Sequence, residues 1–183
     1  MRIVAISVGA PREVRWKGEV VRTSIFKTPV AGPVRARRLN LEGDEQSDLE
    51  VHGGEEKAVY AYPAEHYEFW RRELPGVDLP WGAFGENFTV EGLLEEDVRI
   101  GDRLLAGTAQ FAVTEPRMPC YKLGLRFGDP RMVRRFLKSG RSGFYLSVTQ
   151  EGDVSPGQAI ALAFRDERSP SVAEVVKVLS RGG

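Results

Sequence analysis

Residues 103–124 read RLLAGTAQFAVTEPRMPCYKLG, and this stretch combines a strand pattern with the only cysteine of the chain. Residues 103–105 and 110–114 are predicted to be strands joined by a turn at Gly107. The second strand leads into a segment in which Pro116 and Pro119 restrict the backbone just before Cys120. The sequence therefore predicts a β-hairpin that delivers a thiol to the end of a strand.

The rest of the chain is divided by glycine and proline into similarly short pieces. Apolar residues at helical spacing predict a helix on the face of Tyr67, Trp70 and Leu74, and another beginning near Met132. The pattern predicts a mainly β barrel with peripheral helices, formed by residues 1–168 and followed by a short helical tail at 169–183. The other predicted strands cover residues 3–8, 20–27, 34–41, 57–62, 88–90, 143–150 and 158–164.

Charge and composition exclude several classes of protein. The 26 basic and 26 acidic residues balance to a net charge of zero, which provides no general attraction for nucleic acid or for an acidic membrane surface. No apolar run approaches the roughly 20 residues that a membrane-spanning helix needs. The first residues are predicted to be a strand and not a signal peptide. With one cysteine and no export signal, we expect a cytosolic protein that binds a small molecule.

Cys120 is the leading candidate for chemistry. A single cysteine and two histidines cannot build an all-Cys/His structural zinc site. The thiol can be a nucleophile, a sulfur carrier or a soft metal ligand, and the nearby cations Arg117 and Lys122 favour the thiolate. The alternative is a cysteine buried as a small hydrophobic residue.

Two glycine-containing turns are candidate anion sites. His52 precedes two glycines and Lys57 follows them, so backbone N–H groups there can face an anion. Arg141 lies between glycines ahead of a predicted strand, which suits a phosphate. Each turn has an ordinary structural interpretation, a tight turn for the first and a hairpin entry for the second.

A third turn places Glu86 beside Asn87 after a glycine. These side chains can hydrogen-bond the edge of a heterocycle, or they can cap the turn through bonds to the backbone. Cys120 and Arg126 also match the Cys-x5-Arg spacing of the cysteine phosphatases. The residues between them are bulky and poor in glycine, so this match is attributed to chance.

Taken in order, these runs resemble a MOSC domain, the family named after the C-terminal domain of molybdenum cofactor sulfurases, and most of all its small stand-alone bacterial members. The resemblance extends over residues 20–164, nearly the whole chain. It rests on runs that begin at Phe26 (FKTPV), Gly43 (GDEQSD), His52 (HGG), Lys57 (KAV), Gly85 (GENF), Ile100 (IGD), Glu115 (EPRMPC) and Gly143 (GFY).

The resemblance implies a β-barrel of the pyruvate-kinase-like type and a cofactor of the molybdopterin type, with Cys120 as the molybdenum ligand or as a sulfur carrier. We expect cations to hold the phosphate of this cofactor and polar side chains to hydrogen-bond its pterin. The phosphate candidates are Lys27, Lys57, Arg117 and Arg141, and the pterin candidates are His52, Glu86 and Asn87. Pyridoxal phosphate is not expected, because the desulfurase domain of the sulfurases is missing from this sequence.

Two functions follow from the resemblance. In the first, a molybdenum centre ligated by Cys120 reduces N-hydroxylated compounds. Because no flavin, haem or iron–sulfur motif is visible, the electrons would come from a separate reductase. In the second, Cys120 carries sulfur as a persulfide for cofactor or metal–sulfur assembly, without redox catalysis.

Overall fold

The computed structural model describes residues 1–46 and 53–181. In this part of the chain the strands are β1 (Arg2–Val8), β2 (Arg12–Trp16), β3 (Glu19–Thr23), β4 (Thr28–Val30), β5 (Val34–Ala36), β6 (Val59–Pro63), β7 (Phe88–Glu91), β8 (Arg103–Ala106), β9 (Ala109–Pro116), β10 (Phe144–Gln150), β11 (Gly152–Val154) and β12 (Ile160–Phe164). The helices are α1 (Glu65–Glu73), α2 (Tyr121–Phe127), α3 (Met132–Ser139) and α4 (Val172–Arg181), and a 3-10 turn covers Glu55–Lys57.

Eight strands form one sheet in the order β12-β8-β9-β10-β6-β7-β1-β4. Neighbours are antiparallel except β6 and β7, which are parallel. The two ends of the sheet meet at β1, where the N–H of Ile3 donates to the carbonyl of Gln158 and the N–H of Ile160 donates to the carbonyl of Met1. On the same edge of β1, the first residues thus contact the start of β12, and Ile6 to Val8 pair with β4. The mainly β prediction is confirmed, and the sheet curls back on itself.

Alternation of side chains fills the interior of this sheet. Along β9, Ala109, Phe111 and Val113 are buried while the residues between them are partly exposed, as the two-residue period of a strand requires. The rings of Phe88 and Phe111 meet edge to face with their centroids 5.5 Å apart. Val172 at the start of α4 packs into the same core.

A second core, made mostly of aromatic rings, holds α1, α2 and α3 against the outside of the sheet. Trp70 of α1 stacks on Phe136 of α3 with ring centroids 5.8 Å apart, and its Nε1 donates to the hydroxyl of Tyr62. Tyr67 and Phe84 complete this cluster. The predicted helical face of Tyr67 and Trp70 is therefore the buried face of α1. No helix in the described ranges has the length and apolar character that crossing a bilayer requires.

The structure differs from the predicted elements at several boundaries. The strand predicted at 20–27 ends at Thr23, because it belongs to a separate β2–β3 hairpin whose turn has Lys17 and Gly18 at positive φ. The strand predicted at 34–41 ends at Ala36 and pairs with β11. The strand predicted at 57–62 starts at Val59. An unpredicted helix, α2, follows Cys120 directly.

Gly143 precedes β10 in a position that tolerates only glycine. Its φ is +62°, and a Cβ there would lie 2.4 Å from the carbonyl oxygen of Ala61. We expect Gly143→Ala to lower the free energy of unfolding by about 3 kcal/mol, from backbone strain and the clash together. Gly140 is a matched control with φ +68° and open space around its Cβ position, so Gly140→Ala should lose only about 1 kcal/mol. Urea unfolding measures both, and equal losses would contradict the close approach of Ala61.

Candidate functional site

One cavity collects most of the predicted site residues. It has a volume of about 130 Å³, against the roughly 10–15 Å³ that a single water needs. Its cationic wall contains Lys27, Lys57, Arg117 and Lys122, and Cys120 lies among them. The remaining lining includes Thr23, Ser24, Ile25, Asp44, Glu45, Gln46, Ala58, Tyr60, Asn87, Met118 and Tyr145.

Cys120 stands at the junction between β9 and α2. Its backbone is extended, with φ −116°, and its carbonyl accepts the N–H of Leu123 in the first turn of α2. The side chain is half-buried and its thiol is not in a disulfide. In the described parts of the chain, no group of three or more His, Cys, Asp or Glu side chains is arranged to hold a metal ion.

Arg117 supplies a buried charge to the same cavity. The residue is only 5% exposed, and its guanidinium carbon lies 5.3 Å from the ring centroid of Tyr60 and 5.1 Å from that of Phe136. Its Nη1 is buried and has no hydrogen-bond partner in the part of the chain that the structure describes. A buried donor left unsatisfied costs free energy, so this geometry favours an anionic ligand that would accept from Arg117.

Two tyrosines form the aromatic wall of the cavity. The rings of Tyr60 and Tyr145 are 5.4 Å apart, and the Tyr60 hydroxyl donates to the carbonyl of Ser142. Burial raises the pKa of Tyr145 above its ordinary value, and the charge of Arg117 acts in the opposite direction. The Tyr145 hydroxyl therefore stays protonated at neutral pH and can donate a hydrogen bond.

Asp44 holds the floor of the cavity together through its hydrogen bonds. It is not among the candidate site residues predicted from the sequence. Its carboxylate accepts from the backbone N–H of Gly9 at 2.8 Å, from Lys27 Nζ at 2.5 Å and from Asn87 Nδ2 at 2.9 Å. Burial lowers the pKa of Lys27, and the charge of Asp44 opposes that shift. Asn87 also accepts the N–H of Tyr60, so both ends of its amide already serve the floor. The signal in the sequence was the Gly-Asp step at the start of a family motif.

Glu86 is fully buried and is not part of the cavity lining. Its carboxylate accepts the backbone N–H groups of Gly82 and Phe84 and the hydroxyls of Tyr67 and Thr89. Burial raises the pKa of Glu86, and these hydrogen bonds limit the shift. This arrangement corresponds to the turn-capping alternative, and the role of Glu86 as a pterin ligand stays a prediction without support from its position.

Arg141 lies at a different surface. Its guanidinium carbon is 3.9 Å from the ring centroid of Phe69, and Nη1 donates to the carbonyl of Ser139. It borders a depression whose acidic residues are Glu65, Glu68, Glu95 and Glu96. Such surroundings repel a phosphate, so the position of Arg141 does not favour the predicted role. His52, the remaining predicted ligand, lies outside the described residues.

The phosphatase spacing receives no support from the geometry. Residues 121–127 form α2 and do not wrap around an anion. Arg126 lies outside the cavity lining, with its guanidinium carbon 5.3 Å from the ring centroid of Phe26.

The ion pair of Lys27 and Asp44 can be tested by removing one charge. We expect Asp44→Asn to lower the free energy of unfolding by about 3–5 kcal/mol, because Lys27 would be left buried without its counter-charge. Glu91→Gln is the control, since the Arg2–Glu91 pair has the same 2.5 Å separation but both side chains are at least half exposed. Its loss should stay below about 1 kcal/mol. Chemical denaturation provides the comparison, and similar losses would show that burial does not distinguish the two pairs.

Comparison with known proteins identifies the family. The family model for the MOSC domain matches residues 48–161. YflK of Bacillus subtilis (strain 168) is 44% identical over 93% of this chain and 76% of its own length, and a protein named reductase from Gibberella moniliformis is 37% identical over 97% of this chain. The chain spans only 32% of that fungal protein and 65% of YiiM of Escherichia coli (strain K12). The crystal structure of YiiM from Geobacillus stearothermophilus superimposes with a TM-score of 0.81 at 37% identity, covering 99% of this chain and 84% of its own. The chain belongs to the MOSC domain family.

Proposed function

We propose that the cavity binds a molybdopterin-type cofactor through Cys120, and that the loaded protein reduces N-hydroxylated small molecules. The proposal rests on one observation: the thiol of Cys120 and the guanidinium of Arg117 line the same cavity. Cys120 offers a soft sulfur ligand, and the buried Nη1 of Arg117 lacks a hydrogen-bond partner among the described residues. A thiolate suits a redox-active metal, and a guanidinium suits a phosphate.

The residues of the chain bind and orient in this proposal. Arg117, Lys57 and Lys27 would hold the phosphate of the cofactor. A bound molybdenum centre supplies two-electron redox chemistry. In the overall reaction, the substrate N–OH group takes up two electrons and two protons and leaves as N–H and water, so a proton donor is needed beside the metal. Tyr145 lines the cavity with Cys120, and its hydroxyl keeps its proton at neutral pH.

The name of a single relative supports a redox function, and it does not specify this substrate. One relative is named a reductase, although this chain matches only about a third of it. The two electrons would come from a separate electron-donor reductase, and we place the reaction in the cytosol. Pyridoxal phosphate has no part in this proposal.

Molybdenum content tests the ligand assignment. Protein purified anaerobically from a host that makes the cofactor should contain about one molybdenum per chain, and Cys120→Ser should remove it, because a serine hydroxyl is a poor ligand for a soft metal. Arg141→Met is the matched control and should keep the metal, since Arg141 lies outside the cavity. Metal analysis measures all three proteins. Unchanged molybdenum in Cys120→Ser would refute the assignment.

Substitution of Arg117 separates binding from stability. Arg117→Met keeps the packing against Tyr60 and Phe136, and it removes both the Nη1 donor that has no partner in the described chain and a hydrogen bond to Tyr145. We expect the free energy of unfolding of the cofactor-free protein to change by less than about 1 kcal/mol, while molybdenum content falls at least about tenfold. A destabilised variant that retains its molybdenum would instead make Arg117 a structural residue.

The sulfur-carrier function is the competing proposal, and the half-buried thiol of Cys120 is compatible with it. Incubation with a cysteine desulfurase would then add the mass of one sulfur atom to Cys120. Persulfide formation in protein that never acquires molybdenum would favour the carrier over the reductase.

A further inference from the structure

Arg12 and Arg126 are held against the same aromatic ring. The guanidinium carbon of Arg12 lies 3.5 Å from the ring centroid of Phe26, and that of Arg126 lies 5.3 Å from it. The two positive charges are therefore within about 9 Å of each other. Phe127 adds a second ring, 5.8 Å from Arg126. We call these two arginines and Phe26 the rim cluster.

Neither arginine of the rim cluster forms a salt bridge within the described residues. Among residues 1–46 and 53–181, no carboxylate lies within salt-bridge distance of Arg12 or Arg126, whereas Arg165 bonds Asp102 at 2.5 Å. The Nε of Arg126 is buried and has no hydrogen-bond partner in those ranges. Asp78 and Glu86 act on Arg126 electrostatically but do not bond it. Burial lowers the pKa of Arg126, and the positive charge of Arg12 lowers it further. Two repelling cations beside an unsatisfied donor are the arrangement that a bound anion stabilises.

The rim cluster lies next to the cavity that contains Cys120. Arg12 is the direct cross-strand partner of Thr23, and such partners project on the same face of a hairpin. Thr23 lines the cavity. Lys122 also lines it, and Arg126 follows Lys122 by four residues on the same face of α2. Thr23 and Lys122 therefore place the rim cluster at the edge of the cavity, where β3 and α2 each contribute a lining residue.

We propose that the rim cluster is an oxyanion subsite that binds the phosphate monoester of a ligand whose remainder enters the cavity. A phosphate monoester carries up to two negative charges, which match the two guanidiniums, and its oxygens can accept paired bonds from each planar fork. Phe26 supports both forks and excludes water from one side, which strengthens the interaction. This subsite is separate from Arg117 and does not require molybdenum, so it stands independently of the proposed cofactor function.

Calorimetric titration of inorganic phosphate into metal-free protein tests the subsite. We expect Arg12→Met and Arg126→Met each to weaken phosphate binding at least about tenfold, the size of one charge-assisted hydrogen bond. Arg141→Met is the matched control, because it also removes a guanidinium stacked on a phenylalanine, at 3.9 Å, and should bind phosphate like the original protein. Arg12 is exposed, so its substitution leaves the fold intact and keeps the test valid if Arg126→Met fails to fold.

Two results would overturn the subsite. One is an absence of phosphate binding, and the other is binding that both rim variants retain, which includes binding that only Arg117→Met removes. Repeating the titration with molybdenum-loaded protein identifies the source of the phosphate. Loss of phosphate binding on loading would place the phosphate of the cofactor at the rim cluster instead of at Arg117, Lys57 and Lys27, and retained binding would assign the cluster to a separate phosphorylated ligand.

Discussion

The buried ion pair between Asp44 and Lys27 is the contact on which the geometry of the cavity depends. Two opposite charges at 2.5 Å inside a protein must recover a large desolvation cost, and they do so only when the remaining lone pairs are also satisfied. Asp44 meets this condition through the N–H of Gly9 and the amide of Asn87. One carboxylate thereby joins the segment after β1, the residue before β4 and the residue before β7.

The same contact explains why the cavity has a polar floor that is rigid. The Nδ2 of Asn87 donates to the carboxylate of Asp44 and to the carbonyl of Ser7. Its Oδ1 accepts the N–H of Tyr60. Tyr60 in turn faces Arg117 and Tyr145. A ligand in the cavity would therefore meet hydrogen-bonded groups on the floor and, on the wall, a donor of Arg117 that no described residue satisfies. Binding to Arg117 need not break an existing hydrogen bond from its Nη1.

Much of the fold and part of the site could be predicted from the sequence, because strand alternation and strand ends are local signals. Lys27 lies just before β4, and Asn87 lies just before β7. Lys57 ends the 3-10 turn that leads into β6, and Arg117 follows β9 directly. Phe144, the first residue of β10, lies opposite Pro116 at the end of β9 and opposite Ala61 in the middle of β6. The runs that carry the family resemblance identified Lys27, Lys57, Asn87 and Arg117, and the structure brings these four residues to one cavity.

The rest could not be predicted, because direction within a turn and pairing over long distances leave no local signal. Glu86 and Asn87 are adjacent, yet one side chain turns back to the N–H groups of Gly82 and Phe84 and the other faces Asp44. Arg141 turns to Phe69, a contact between residues far apart in the sequence. Helix α2 is short and contains Gly124, whose hydrogen leaves room for Pro130, so it lacks a clear helical period.

The net charge of the chain does not describe how charged side chains are distributed around a small ligand. The balanced composition gives no long-range attraction for a polyanion, and screening removes such attraction beyond about 8 Å at physiological salt. Within that distance the charges are segregated: the depression beside Arg141 collects glutamates, and the cavity wall and the rim cluster collect cations. A small anion at the cavity therefore meets a positive field that a nucleic acid at the whole surface would not. Neutral overall charge and a cationic cavity together favour a small anionic ligand over a polymeric one.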